Sequence, residues 1–179
     1  MSYTADFDKA LEVGRPPTIK ALFPNSRALL VSGKVIDRAM LRKGKAMTMA
    51  ANGRSNLVIR GALMAAQRAQ AALIIEIARS EGGASSYCAT NYWNMARQVD
   101  ALCNELAITV PVAIHADHYG IKSAADLPFA RTEIPSMFDA GITSIAVDAS
   151  HMKDDDNLLA SIALSSVIPA WAGYETEVG

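Results

Sequence analysis

The sequence predicts an α/β fold built on a parallel sheet, and three observations carry that prediction. Short apolar runs alternate along the chain with segments of helical period. Histidines and aspartates collect where several of those runs end. Apolar residues make up 51% of the 179 positions and charged residues 20%, which suits one core-bearing domain and excludes a disordered chain.

Residues 1–30 read as an N-terminal extension, punctuated by Gly14-Arg15-Pro16-Pro17 and Pro24-Asn25 and without a long periodic segment. Regular patterning begins at Val31. A first strand is expected over 46–51, a helix over 57–71 and a second strand over 73–78. Asn91 is placed to cap the next helix, which carries Tyr92, Met95, Val99, Leu102 and Leu106 on one face. Residues 111–114 form a buried third strand ending in His115-Ala-Asp117-His118. A loop and a helix to Ala140 lead to a fourth strand over 143–147, followed by Asp148, Ser150 and His151. Asp156 opens a helix to about Val167, Pro169 closes it, and 174–178 gives a fifth strand. Five β units alternating with four helices imply right-handed crossovers, in either an open doubly wound sheet or part of a (β/α)8 barrel. The length favours the open sheet and the polar strand ends favour the barrel.

Charge and motifs exclude several classes of function. A net charge of -1 offers no general attraction to nucleic acid or anionic lipid. The longest apolar run, 71–75, is too short to span a membrane, and 1–12 lacks the order of a secretory signal, so a cytoplasmic location is expected. Cys88 and Cys103 lack C-x-x-C spacing and are read as small hydrophobes. Asn52-Gly-Arg-Ser55 matches neither a dinucleotide fingerprint nor a P-loop.

The chemistry-bearing residues lie near strand ends. His115 and Asp117 share one side of an extended strand, and His118 joins them only if the chain turns after Asp117. Glu175 and Glu177 share a face, and two adjacent inward carboxylates repel unless a cation sits between them. Asp148 shares a face with Ala146 and Ser150 and either faces the same space or caps the next turn. Ser80-Glu-Gly-Gly-Ala-Ser85 is either a backbone cradle for phosphate or an ordinary turn.

Taken together, these segments resemble the class II, metal-dependent fructose-bisphosphate aldolase family. The resemblance covers about residues 31–179: Val31-Ser-Gly-Lys34, 46–52, the S-x-G-G-A-S loop at 80–85, and V-P-V-A-I-H-A-D-H over 110–118. It continues through A-G-I-T-S at 140–144, V-D-A-S-H at 147–151 and Y-E-T-E-V-G at 174–179. It implies a (β/α)8 TIM barrel of which this chain holds about the first five β units, with residues 31–179 as the partial aldolase domain. It implies that Asp117 transfers the proton at the hydroxyl next to the cleaved bond and that His118 binds zinc. Glu177 matches a carboxylate that ligates metal in some members, while Glu175 and Asp148 match positions near an alternative metal position. Asn52 and Ser80 match residues that contact the substrate or its phosphate. Two further histidine ligands and a Gly-rich phosphate loop fall, in the family, beyond Gly179. Tyr119-Gly120-Ile121 and the extension depart from the commonest members.

The implied activity is reversible aldol cleavage of a phosphorylated ketose, such as fructose 1,6-bisphosphate, to dihydroxyacetone phosphate and an aldehyde. Zn2+ or another divalent ion is the implied cofactor, the partner is a sugar phosphate, and a homo-oligomer is expected, with no nucleic acid or membrane. One alternative is a non-catalytic half-barrel module that associates through exposed strand edges. Another is a metal-dependent hydrolase using H-x-D-H.

Overall fold

The computed structural model describes residues 4–85 and 87–178; residues 1–3, Ser86 and Gly179, the last residue of the Y-E-T-E-V-G motif, lie outside the described residues. Two helices come first, α1 (Ala5–Gly14) and α2 (Pro17–Leu22), followed by α3 (Gly33–Lys43). The units β1 (Met49–Asn52), α4 (Asn56–Ala69), β2 (Leu73–Ala78) and the single turn α5 (Arg79–Gly82) follow. After them come α6 (Met95–Glu105), β3 (Val112–Gly120), α7 (Leu127–Asp139), β4 (Ser144–Asp148), α8 (Asp154–Ser165) and β5 (Gly173–Thr176).

All four strand pairings are parallel, and the sheet runs β1-β2-β3-β4-β5 in chain order. A doubly wound sheet reverses direction part-way across, so this order decides for a barrel segment. Right-handed crossovers between sequential neighbours place the helices on one side. On that side Ile75, Ile77, Ile114, Ile145 and Val147 pack with Ile59 and Leu63 of α4, Val99 of α6 and Ile134 and Phe138 of α7. The opposite, concave face has a separate apolar floor in which Phe7, Leu29, Val31 and Ile36 meet Ala113 and Ile74. Helix α3 enters there at very close range. A Cβ on Gly33 would stand 2.5 Å from the Ser144 hydroxyl, so only glycine fits.

Several boundaries differ from expectation for identifiable reasons. The expected extension without a periodic segment contains α1 and α2; α1 is capped by the Thr4 hydroxyl, and Phe7 lies in the concave floor. Helix α6 runs from Met95, and Asn91 caps the turn that leads into it, its side chain accepting from the Trp93 and Asn94 amides. Helix α8 begins two residues early at Asp154, where three aspartates complement its positive end. Strand β1 begins at Met49, and β3 runs on to Gly120 through an irregularity. Cys103 is buried, which pushes its thiol up to about 12, and Cys88 is half-buried. Among the described residues no helix is long and apolar enough to cross a membrane.

Candidate functional site

Strand register assembles the site. Asn52 stands opposite Glu76, Glu76 opposite His115, and His115 opposite Ser144, all on the concave face. Two residues further along each strand, the same alternation presents Asp117, Ala146 and, on β5, Glu175. The register between β3 and β4 then shifts between Ala116 and Tyr119, and His118 has a left-handed backbone with φ of 43°. That bulge is the turn His118 needs. It brings consecutive residues, Asp117 and His118, to one edge, which a regular strand cannot do.

His118 is exposed and ringed by carboxylates. Its Nδ1 lies 3.0 Å from Glu177 Oε2 and 3.5 Å from Asp148 Oδ2, and its Nε2 is 3.8 Å from Asp117 Oδ2. Asp117, then Glu177 and Asp148, raise the imidazole's pKa against a smaller opposing effect of burial. For Asp148 burial works upward, but hydrogen bonds from the Ser150 hydroxyl and amide, together with His118, outweigh it and lower the carboxyl. Burial and the negative charge of Asp148 raise Glu177. Glu175 is raised by burial and by Asp37, Asp117 and Glu177. The Glu177 amide donates to Val147 O, continuing the ladder one residue past β5 and holding this carboxylate at the edge.

Among the described residues, two groups of three donor residues have one ligand atom each within 4.8 Å of the others: Asp117, His118 and Glu177 at the edge, and Glu76, His115 and Asp117 deeper in the concave face. Imidazole with carboxylates is a donor set that suits divalent ions such as zinc, cobalt or manganese, so the edge group fits a metal. Burial, then the charges of Asp117 and Glu175, push Glu76 up to about 7. His115 is pushed down to about 4 by burial and by His118.

A cleft of about 530 Å³ opens beside this edge, lined by His118, Asp148, Ser80, Gly83, Lys122 and His151 among others. Its wall contains a fixed guanidinium. Arg79 donates to Gly120 O at 2.6 Å, pairs with the buried Glu133 at 3.2 Å and stacks 4.3 Å from the Tyr119 ring centre. Ser80 therefore sits in the cleft, whereas Asn52 turns aside. The Asn52 Nδ2 donates to Glu81 Oε2 at 2.7 Å, and Glu81, itself buried, also pairs with Arg54.

The structure thus brings together Asp117, His118, Asp148 and Glu177, sets Glu175 beside them, places Ser80 across the cleft and separates Asn52. Sequence reasoning passed over Glu76, Arg79, Glu81 and Glu133. Glu76 had a signal, a carboxylate in the apolar run 73–78 on the same face as Ile74. Arg79 and Glu133 had none, since their pairing spans 54 positions and depends on how α7 packs.

Comparison with known proteins bears on this geometry. Residues 34–179 match the family described as fructose-bisphosphate aldolase class-II. The chain belongs to that aldolase family. It is 32% identical over 96 residues to the fructose-bisphosphate aldolase of Staphylococcus aureus (strain Mu50), a stretch covering 54% of this chain and 29% of that protein. It is 34% identical over 90 residues to the 6-phospho-5-dehydro-2-deoxy-D-gluconate aldolase of Bacillus subtilis (strain 168), covering 48% of this chain and 27% of that one. The crystal structure of the YdjI aldolase from Escherichia coli K12 superposes with a TM-score of 0.63 at 20% identity, over 84% of this chain and 52% of that one. The chain accordingly spans about half of that solved aldolase and under a third of the curated relatives. Membership of the aldolase family and the chain-order sheet agree on an incomplete TIM barrel.

Proposed function

We propose that this chain forms the N-terminal part of a metal-dependent class II aldolase that cleaves a phosphorylated ketose, such as fructose 1,6-bisphosphate, to dihydroxyacetone phosphate and an aldehyde. The observation that carries the reading is the convergence of His118, Asp117, Asp148 and Glu177 at the strand ends of an aldolase-family chain. Residues 31–179 are its barrel-forming part and 1–30 an extension folded onto it.

In this reading His118 and Glu177 hold the ion, with Asp148 and Glu175 supplying further oxygens, and zinc is the ion their chemistry suits. When bound, such an ion polarises the substrate ketone and offsets the negative charge that carbon–carbon cleavage leaves behind. Asp117 receives the proton of the hydroxyl next to the breaking bond and returns it in the condensation direction. Its position suits the task, because the bulge presents it at the same edge as His118, whose ring lines the cleft. The Ser150 hydrogen bonds keep Asp148 ionised and oriented. Ser80 and the Gly83 backbone form the wall against which a phosphate end rests, while Asn52, anchored on Glu81, shapes the β1 side. The reading places the protein in the cytoplasm as a homo-oligomeric enzyme of carbohydrate metabolism.

The test is aldol cleavage of fructose 1,6-bisphosphate by the protein that carries this chain. Chelation should abolish activity and Zn2+ restore it, and Asp117→Asn should lower kcat by about 10²–10⁴-fold. Cleavage that survives chelation, or an unchanged rate in the Asp117 variant, would overturn the reading.

A further inference from the structure

We propose that Arg79 is a positioning residue: held by Glu133 and stacked on Tyr119, its guanidinium fixes the left-handed turn at His118 and with it the placement of Asp117 and His118.

The turn is unfavourable by itself. His118 has φ of 43°, and the pairing of β3 with β4 slips between Ala116 and Tyr119, so neither backbone preference nor a regular ladder holds the chain there. A residue other than glycine keeps such a conformation only where its surroundings over-determine it. Two side chains grip the backbone on either side of His118. The buried Tyr92 donates through its hydroxyl to Asp117 O at 3.4 Å, and Arg79 Nη1 donates to Gly120 O at 2.6 Å. The arginine bond is shorter and carries a charge, which makes it the stronger of the two.

Arg79 is itself tied to α7. Its Nη2 pairs with Glu133 Oε2 at 3.2 Å, and the Tyr119 hydroxyl donates to that same oxygen. The guanidinium lies 4.3 Å from the Tyr119 ring centre and 5.6 Å from that of Phe129. Tyr119 and Glu133 are buried, so the clamp seizes the two residues that follow His118 and anchors them on a packed helix. A planar guanidinium reaches a carbonyl and a carboxylate at once in fixed directions, which the single ammonium of lysine does not reproduce. Arg79 also lines the cleft, where a cation has a second use, binding the anionic end of a substrate directly. Its bonding favours the backbone: two of its nitrogens are engaged by Gly120 O and Glu133, and Glu133 neutralises its charge.

What Asp117 and His118 do once placed rests on the aldolase reading, but the turn itself does not, so it is followed without catalysis. In a left-handed residue the amide and α protons lie close together, and His118 of the metal-free protein should give a strong NOE between them. That cross-peak should lose most of its intensity in Arg79→Met and in Glu133→Gln, while those of Gln70 and Ala107, also left-handed at φ of 51° and 52°, stay unchanged. Glu133→Gln preserves side-chain volume and decides the matter if Arg79→Met does not fold; Arg79→Lys should recover only part of the signal. In cleavage of fructose 1,6-bisphosphate by the protein that carries this chain, kcat should fall about tenfold in both Arg79→Met and Glu133→Gln with KM near that of the parent. Direct anion binding by Arg79 gives the opposite pattern: KM rises in Arg79→Met and falls in Glu133→Gln, where the charge is set free. That pattern with kcat retained, or an undiminished His118 cross-peak in folded Glu133→Gln, would overturn the proposal. The cross-peak decides the turn whether or not the parent cleaves ketose phosphates.

Discussion

Replacing Glu76 by Gln should stabilise the metal-free protein at alkaline pH and remove part of its pH dependence. Burial, Asp117 and Glu175 raise this carboxyl from its ordinary 4.5 to about 7. The folded state therefore holds the Glu76 proton more tightly than the unfolded state. Its penalty is absent below about pH 4.5, grows as pH rises to about 7 and is constant above. A displacement of that size corresponds to about 3 kcal/mol at full effect. Glu76 is only half-buried, so solvent screening reduces the expected penalty to about 1–2 kcal/mol. Urea unfolding in the presence of chelator, at pH 5 and pH 8, measures it. The difference in stability between the Gln variant and the parent should grow by about 1–2 kcal/mol in favour of Gln between the two pH values. Parallel pH profiles would refute the account of Glu76 as a carboxyl confined among other carboxylates.

Three further outcomes follow from the same contacts. Glu81→Ala removes the acceptor of the Asn52 amide and of the Ala78 N–H and leaves Arg54 unpaired, so a loss of about 2–3 kcal/mol is expected in urea unfolding, with Glu81→Gln losing less. Gly141→Ala should cost about 1–3 kcal/mol, because Gly141 has φ of 108° and a Cβ there would stand 2.6 Å from that of Ala96; an unchanged melting temperature would contradict it. The carboxylates around His118 raise its pKa, so protons compete with metal more strongly as pH falls. Zn2+ titrations at pH 6 and pH 8 should show weaker binding at pH 6, and pH-independent affinity would remove His118 from the ligand set.

Much of the fold was legible because apolar periodicity reports directly on burial. Strand β2 occupies the expected 73–78, and its alternating burial follows from Ile75 and Ile77 packing outward while Ile74 and Glu76 face inward. The choice between an open sheet and a barrel was not legible from that rhythm, since both use the same βα alternation; strand order decides it. The N-terminal helices escaped because Gly14, Pro16, Pro17 and Pro24 read as loop, while the packing of Phe7 against Leu29 and Ala113 is tertiary. At the site, the same-side placement of His115 and Asp117 follows from strand geometry, and so does the need for a turn before His118. The φ of 43° that supplies the turn does not, because histidine adopts it only where neighbouring strands impose it. The Asn52 position was legible as a strand end, but its orientation toward Glu81 depends on where α5 lies.

The chain-order sheet has a consequence for how the site comes into being. Each strand pairs with the one synthesised just before it, so contacts are short in sequence and the sheet can extend in the direction of translation. The residues around His118 arrive in that same sequence: Asp117 and His118 with β3, Asp148 with β4, and Glu177 only after β5 has docked on β4. A nascent chain lacking β5 leaves the imidazole without its nearest carboxylate, Glu177. Under the proposed metal-dependent reading, an ion held by His118 and Glu177 at this edge would report that the fifth strand is in place.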